Sequence, residues 1–195
     1  MYRNYRSGMI EVITGCMFAG KTEELIKRMK VLEYAKKKVV AFKPNIDNRY
    51  SESKIASHAG NFCECICIDI NDLEPIKKLI NDKSIDAVII EEVQFLNPEI
   101  VDVCEALANS KKRVIVAGLD TDFKGEPFPI MASLMAKAEF VSKLAAVCCK
   151  CGAPATRTQR LINGFPASIN DPIILVGASE CYEARCRFCH EIKKD

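Results

Sequence analysis

No stretch of the 195-residue chain approaches the ~18 consecutive apolar residues that a membrane-crossing helix needs, so no span is expected. The opening run Met1-Tyr2-Arg3-Asn4-Tyr5-Arg6 has no apolar segment behind it and does not read as a signal peptide. An excess of one charge is also missing. The 28 Lys and Arg stand against 26 Asp and Glu, which argues against a broad attraction to nucleic acid. Lys36-Lys37-Lys38 and Lys193-Lys194 are short and read as solvated surface. Internal repeats and low-complexity segments are absent as well. Without a secretion signal, the eleven cysteines point to metal ligation or reduced thiols in a cytoplasmic protein, not to disulfides.

A hydrophobic content of 49% can build a sizeable core, and the length suits one domain with a small appendage. Met9 to Thr14, Val39 to Phe42, Ala87 to Ile90 and Arg113 to Leu119 read as apolar strands. Glu23 to Ala35, Leu73 to Asn81 and Pro98 to Ala108 read as helices between them. Helix and strand alternate to about Leu144, which predicts an α/β domain with a parallel sheet flanked by helices. Asn45 to Asn61 is polar and reads as a loop. Cys63 to Ile68 alternates, so its three cysteines read as small apolar residues on one strand face. From Cys148 the chain turns rich in Cys, Gly and Pro. A boundary near residue 146 is expected, giving an α/β domain over 1–146 and a small cysteine-rich domain over 147–195.

Gly15-Cys16-Met17-Phe18-Ala19-Gly20-Lys21-Thr22 fits the phosphate-binding P-loop, between a strand and a helix as that motif requires. Inward-turned backbone N–H groups and the helix N-terminus suit an ATP phosphate chain. Lys21 is placed to reach the β- and γ-phosphates and the Thr22 hydroxyl to ligate Mg²⁺. Ile89-Ile90-Glu91-Glu92 is a strand ending in two carboxylates. Adjacent residues leaving a strand point to opposite sides, so one acid can face the metal and the other the substrate.

Cys148-Cys149-Lys150-Cys151 and Cys186-Arg187-Phe188-Cys189 supply two C-x-x-C knuckles for a four-thiolate structural zinc site. Cys148, Cys151, Cys186 and Cys189 are the preferred ligands. Cys149 and His190 lie beside them and stay open as substitutes.

With these elements the chain resembles the cellular-type, zinc-containing thymidine kinases. The resemblance runs from about Met9 to Cys189. It rests on the glycine loop, Asp47-Asn48-Arg49-Tyr50-Ser51, Glu91-Glu92-Val93-Gln94-Phe95, Gly118-Leu119-Asp120-Thr121-Asp122-Phe123, Lys143 to Cys148, and Tyr182 before Cys186. It implies transfer of the ATP γ-phosphoryl to the 5′-hydroxyl of thymidine, with deoxyuridine as a weaker substrate. In the family pattern Glu92 matches the base, and Arg49 an arginine near the transferring group. Glu91 and Gln94 match the cofactor side. Met17, Phe95, Leu119 and Phe123 match the walls around the base, and Tyr182 the tyrosine over the nucleoside. Gly164 to Gly177 resembles the family's lasso loop, which holds thymine through backbone groups, here over Ile173, Ile174, Leu175, Val176 and Gly177. A homotetramer and feedback by dTTP follow from the resemblance too. The chain departs from the pattern at Cys16, where many members have proline, and at Glu91, where aspartate is usual. A P-loop with a zinc module also describes nucleic-acid-dependent ATPases, whose basic groove the balanced charge does not supply. A regulatory ATP-binding module would be expected to lack one of Lys21, Arg49 and Glu92.

Overall fold

The computed structural model describes residues 8–45, 54–56, 62–173 and 180–193. β1 (Met9–Gly15) leads into α1 (Lys21–Tyr34) and then β2 (Val39–Pro44). β3 (Lys54–Ala56) and β4 (Phe62–Glu64) form a separate antiparallel pair. β5 (Ile66–Ile68) rejoins the main sheet, followed by α2 (Glu74–Lys77) and a tighter turn over Lys78–Ile80. β6 (Ala87–Ile90), α3 (Ile100–Asn109), β7 (Arg113–Gly118), α4 (Pro129–Lys137) and β8 (Phe140–Leu144) complete this part. The six strands run in the order β5-β2-β6-β7-β1-β8, and every neighbouring pair is parallel.

The strand periodicity sends alternate residues to opposite faces. Val12, Val88, Ile90, Val114 and Val116 pack with Ile100, Leu107 and Leu134 on one face. Ile13, Ile89, Ile115 and Ala117 pack with Leu25, Ile26 and Met29 of α1 on the other. Helices cover both faces, which is why β6 is apolar at every position and wholly buried. Glu11 breaks the apolar run of β1. It is buried toward α1, where Arg28 at 2.9 Å and Arg113 compensate its charge.

Several local expectations shift. The single strand expected over Cys63 to Ile68 is two, since β4 pairs with β3 and only β5 enters the parallel sheet. Cys63 and Cys65 do pack against the core, as the alternation suggests. Strand β3 lies inside the segment read as loop. The helix after Pro98 starts two residues later, at Ile100.

Beyond the sheet, β9 (Ala146–Val147) pairs with β10 (Pro154–Ala155) and frames the first cysteine knuckle. β11 (Arg157–Ile162) lies between β12 (Phe165–Pro166) and β13 (Glu180–Arg185) in an antiparallel sheet. The segment from Gly164 to Gly177, matched to the lasso loop, therefore begins as a strand. Asn163 and Gly164, at φ 52° and 83°, make a two-residue turn, and β12 then folds back on β11. Ala167 donates to the Arg160 carbonyl and Ser168 bridges to Lys193, so the chain is tied down at least that far. Among the described residues, all eleven cysteines are free, and no helix is long and apolar enough to cross a membrane.

Candidate active site

The glycine loop joins β1 to α1 at the C-terminal edge of the sheet. A side chain at Gly15, where φ is 146°, would strike the Leu144 carbonyl of neighbouring β8. Lys21 is buried and its Nζ donates to the Cys16 carbonyl at 2.9 Å, so its ammonium folds back over the loop. Cys16, met in place of the family's usual proline, is fully buried. It packs with Cys148, Ala155, Ala184 and Cys186, and its thiol donates to the Ala155 carbonyl at 3.3 Å. The Met17 N–H donates to Thr158 Oγ1 at 3.1 Å. The phosphate loop is thereby anchored to the cysteine-rich part of the chain.

Glu91 and Glu92 follow β6, in the adjoining half of the sheet edge. The Thr22 hydroxyl donates to Glu91 Oε1 at 2.7 Å. Burial pushes the Glu91 carboxyl up to about 7, and the charge of Glu92 adds to the rise, while the Thr22 bond opposes it. Glu92 adopts φ 49°, ψ 39°, a left-handed conformation uncommon for a residue with a side chain. Gln94 Nε2 donates to Glu92 Oε2 at 2.5 Å, and Gln94 Oε1 accepts the Leu119 N–H at 3.3 Å. Gly118 makes room for this: a Cβ there would collide with Gln94 Oε1 and Met131 Sδ. Strained backbone of this kind, locked by its surroundings, is concentrated at functional sites.

The loop after β7 is held by short polar contacts. Asp120 is buried and pairs its charge with Lys143 Nζ, 2.7 Å from Oδ2. Asp122 Oδ1 accepts the N–H groups of Lys124 and Glu126. Phe123 is buried, with the Arg160 guanidinium 4.0 Å from its ring centre. Phe95 meets Phe128 edge-on at 5.8 Å. Arg160 Nε donates to the Tyr182 hydroxyl at 3.1 Å, which brings Tyr182 to the same group as Phe123.

The two knuckles converge as their spacing predicts. Ligand atoms of Cys148, Cys151, Cys186 and Cys189 all lie within 4.8 Å of one another, a donor set compatible with structural zinc. Backbone N–H groups lower the Cys148 and Cys186 thiols, while the neighbouring thiols raise Cys151 and Cys189, so the quartet shares its protons until a cation takes their place. The two neighbours are occupied elsewhere. Cys149 donates to Glu183 at 3.1 Å. His190 Nε2 lies 2.9 Å from the Phe123 carbonyl, the geometry of an imidazole N–H donating to it.

The structure thus brings Gly15 to Thr22 and the Glu91, Glu92 and Gln94 group to the ends of β1 and β6, the two strands that flank β7, with the Thr22–Glu91 bond closing the gap. It links Leu119 to Gln94, and Phe123 to Tyr182. Arg49, Ile174, Leu175, Val176 and Gly177 lie outside the described residues. Ile173 is described, and its carbonyl is bound by Arg160. Arg160 and Thr158 escape a reading by motif, and His190 reads only as a substitute metal ligand. Arg160 stands in an ordinary strand sequence, and only its burial and partners mark it.

A P-loop on a parallel sheet, with paired acids at the end of the strand next but one, defines an ATP-dependent phosphotransferase fold carrying a four-cysteine cluster. The family model described as "Thymidine kinase" matches residues 8–190, nearly the whole chain. The chain belongs to the thymidine kinase family. It is therefore an ATP-using kinase with a nucleoside substrate, which favours that reading over a nucleic-acid-dependent ATPase.

Proposed function

We propose that the protein transfers the γ-phosphoryl of ATP to the 5′-hydroxyl of thymidine, giving dTMP in cytoplasmic nucleotide salvage, and that it accepts deoxyuridine more weakly. The observation that carries the chemistry is Glu92, held in a left-handed conformation and bonded to Gln94, beside a P-loop whose Thr22 meets Glu91. Phosphoryl transfer depends on positioning and charge more than on covalent chemistry. The loop N–H groups and Lys21 bind and orient the phosphates. Thr22 and Glu91 offer two oxygens to Mg²⁺, a hard cation that takes such ligands and would neutralise phosphate charge. Glu92 accepts the proton from the 5′-hydroxyl, a poor nucleophile without that help. Arg49 is assigned to the transferring group, as the resemblance implies. Met17, Phe95, Leu119, Phe123 and Tyr182 are assigned to the nucleoside. Residues 1–146 serve as the kinase domain and 147–195 as the zinc-binding domain, with the core shared by Cys16 and Cys148 joining them. A homotetramer and inhibition by dTTP belong to the same reading.

A phosphoryl-transfer assay with ATP against a panel of nucleosides tests it. Thymidine is expected to be the best acceptor and deoxyuridine weaker. Equal transfer to purine nucleosides would overturn the assignment.

Glu91 adds a pH signature. Its carboxyl rises from an ordinary 4.5 to about 7 on folding, so the folded protein holds this proton more tightly than the unfolded chain. Its contribution to stability is fully present below about 4.5 and is lost as pH climbs through about 7. Glutamine keeps the neutral form at every pH. Without Mg²⁺, the melting temperature of the native protein minus that of Glu91→Gln is therefore expected to fall between pH 5 and 8. Added Mg²⁺ is expected to restore it at pH 8, because the cation takes the ionised form. A difference independent of pH would remove Glu91 as the titrating group.

A further inference from the structure

The side chain of Arg160 is the largest fully buried one in the described structure, at 1% exposure. A guanidinium so placed loses its hydration and must find fixed partners. Among the described residues, those it has are polar or aromatic, and none is an anion. Nη1 donates to the Pro172 carbonyl and Nη2 to the Ile173 carbonyl. Nε donates to the Tyr182 hydroxyl at 3.1 Å. Its plane lies 4.0 Å from the ring centre of Phe123 and 5.5 Å from that of Tyr182. One flat, rigid cation thus touches three separate parts of the chain: the loop after β7, strand β13, and the segment reaching Ile173.

The partners of those partners are also fixed. The Phe123 carbonyl is held by His190, one residue beyond the last cysteine of the cluster. Gln159, next to Arg160, exchanges two bonds with the backbone of Glu191, at 2.8 and 2.9 Å. The backbone carrying the guanidinium is therefore as constrained as the groups it grips. A lysine could retain the charge but not three hydrogen bonds and two ring contacts from one plane.

We propose that Arg160 is a positioning residue for nucleoside binding. It holds the Phe123 ring, the Tyr182 ring and the Pro172–Ile173 backbone at one mutual geometry. This rests on the assignment of Phe123 and Tyr182 to the nucleoside under Proposed function, and on the family resemblance for Ile173. Arg160 lies opposite the phosphate machinery in role. The Lys21, Thr22, Glu91 and Glu92 contacts use none of its partners.

Steady-state kinetics of Arg160→Lys and Arg160→Met test the proposal in the intact, zinc-loaded protein. The KM for thymidine is expected to rise about tenfold or more in Arg160→Met, as loss of charge-assisted hydrogen bonds implies, and less in Arg160→Lys. The KM for ATP and the zinc content are expected to stay within about twofold of native, since neither site touches Arg160. A general loss of structure would move both KM values together, and that outcome overturns the proposal. So does an unchanged thymidine KM in both variants. If neither variant folds, Arg160→Gln, which keeps a planar donor, decides by the same two KM values: a selective rise in the thymidine KM supports the anchor, and native or jointly raised values overturn it. Failure of the underlying reading is distinct, because the native protein would then show no thymidine phosphorylation.

Discussion

Glu92→Gln is expected to bind ATP and nucleoside as the native protein does, while turning over ~10²-fold more slowly or worse. Glutamine preserves the shape of the side chain. It also keeps a carbonyl oxygen to accept from Gln94 Nε2, the bond now 2.5 Å long. What it removes is the basicity proposed to take the 5′-hydroxyl proton. The loss should therefore fall on kcat and leave the two dissociation constants near native. The same substitution withdraws the negative charge that helps raise Glu91, so the Glu91 carboxyl should ionise at lower pH. Single-turnover rates and equilibrium binding on one preparation separate these effects. Native turnover in the variant would take Glu92 out of the chemistry.

Serine at Cys186 is expected to cost the protein its metal and several kcal/mol of stability, because zinc binding to four thiolates is also folding free energy. Metal analysis should find about one zinc per native chain and much less in the variant. The consequence should reach the phosphate loop. Cys186 and Cys148 share a core with Cys16, and Thr158, on β11 next to that core, holds the Met17 N–H at 3.1 Å. Chelation is therefore expected to lower the melting temperature and to weaken ATP binding as well as thymidine binding. A chelated protein with native ATP affinity would show that the two parts are energetically separate. A stable native protein without bound zinc would rule out the metal site itself.

The chain pattern by itself determined the α/β class, the phosphate loop, the acid pair and the cysteine quartet. Each of these is local in sequence or rests on a fixed spacing. Eight residues spell the P-loop, two knuckles of equal spacing spell the thiolate set, and four consecutive apolar residues followed by two acids mark the end of β6. Backbone geometry turns such short spacings into shape without reference to the rest of the fold.

Tertiary structure decided what joins these parts. Cys16 departs from the family pattern, and only packing shows its thiol bonded to Ala155 in the cysteine core. His190 stands beside a ligand in sequence, yet the fold turns its ring to Phe123. Gly164 reads as the start of a loop, but the partner strand β11 draws the following residues into a hairpin. Arg160 carries no motif at all. Its neighbours come from positions 123, 172, 173 and 182, so its role exists only once those segments meet. The physical reason is common to all four. A hydrogen bond or ring contact between distant residues depends on three-dimensional closure, and linear spacing does not encode which distant partner a buried side chain will meet.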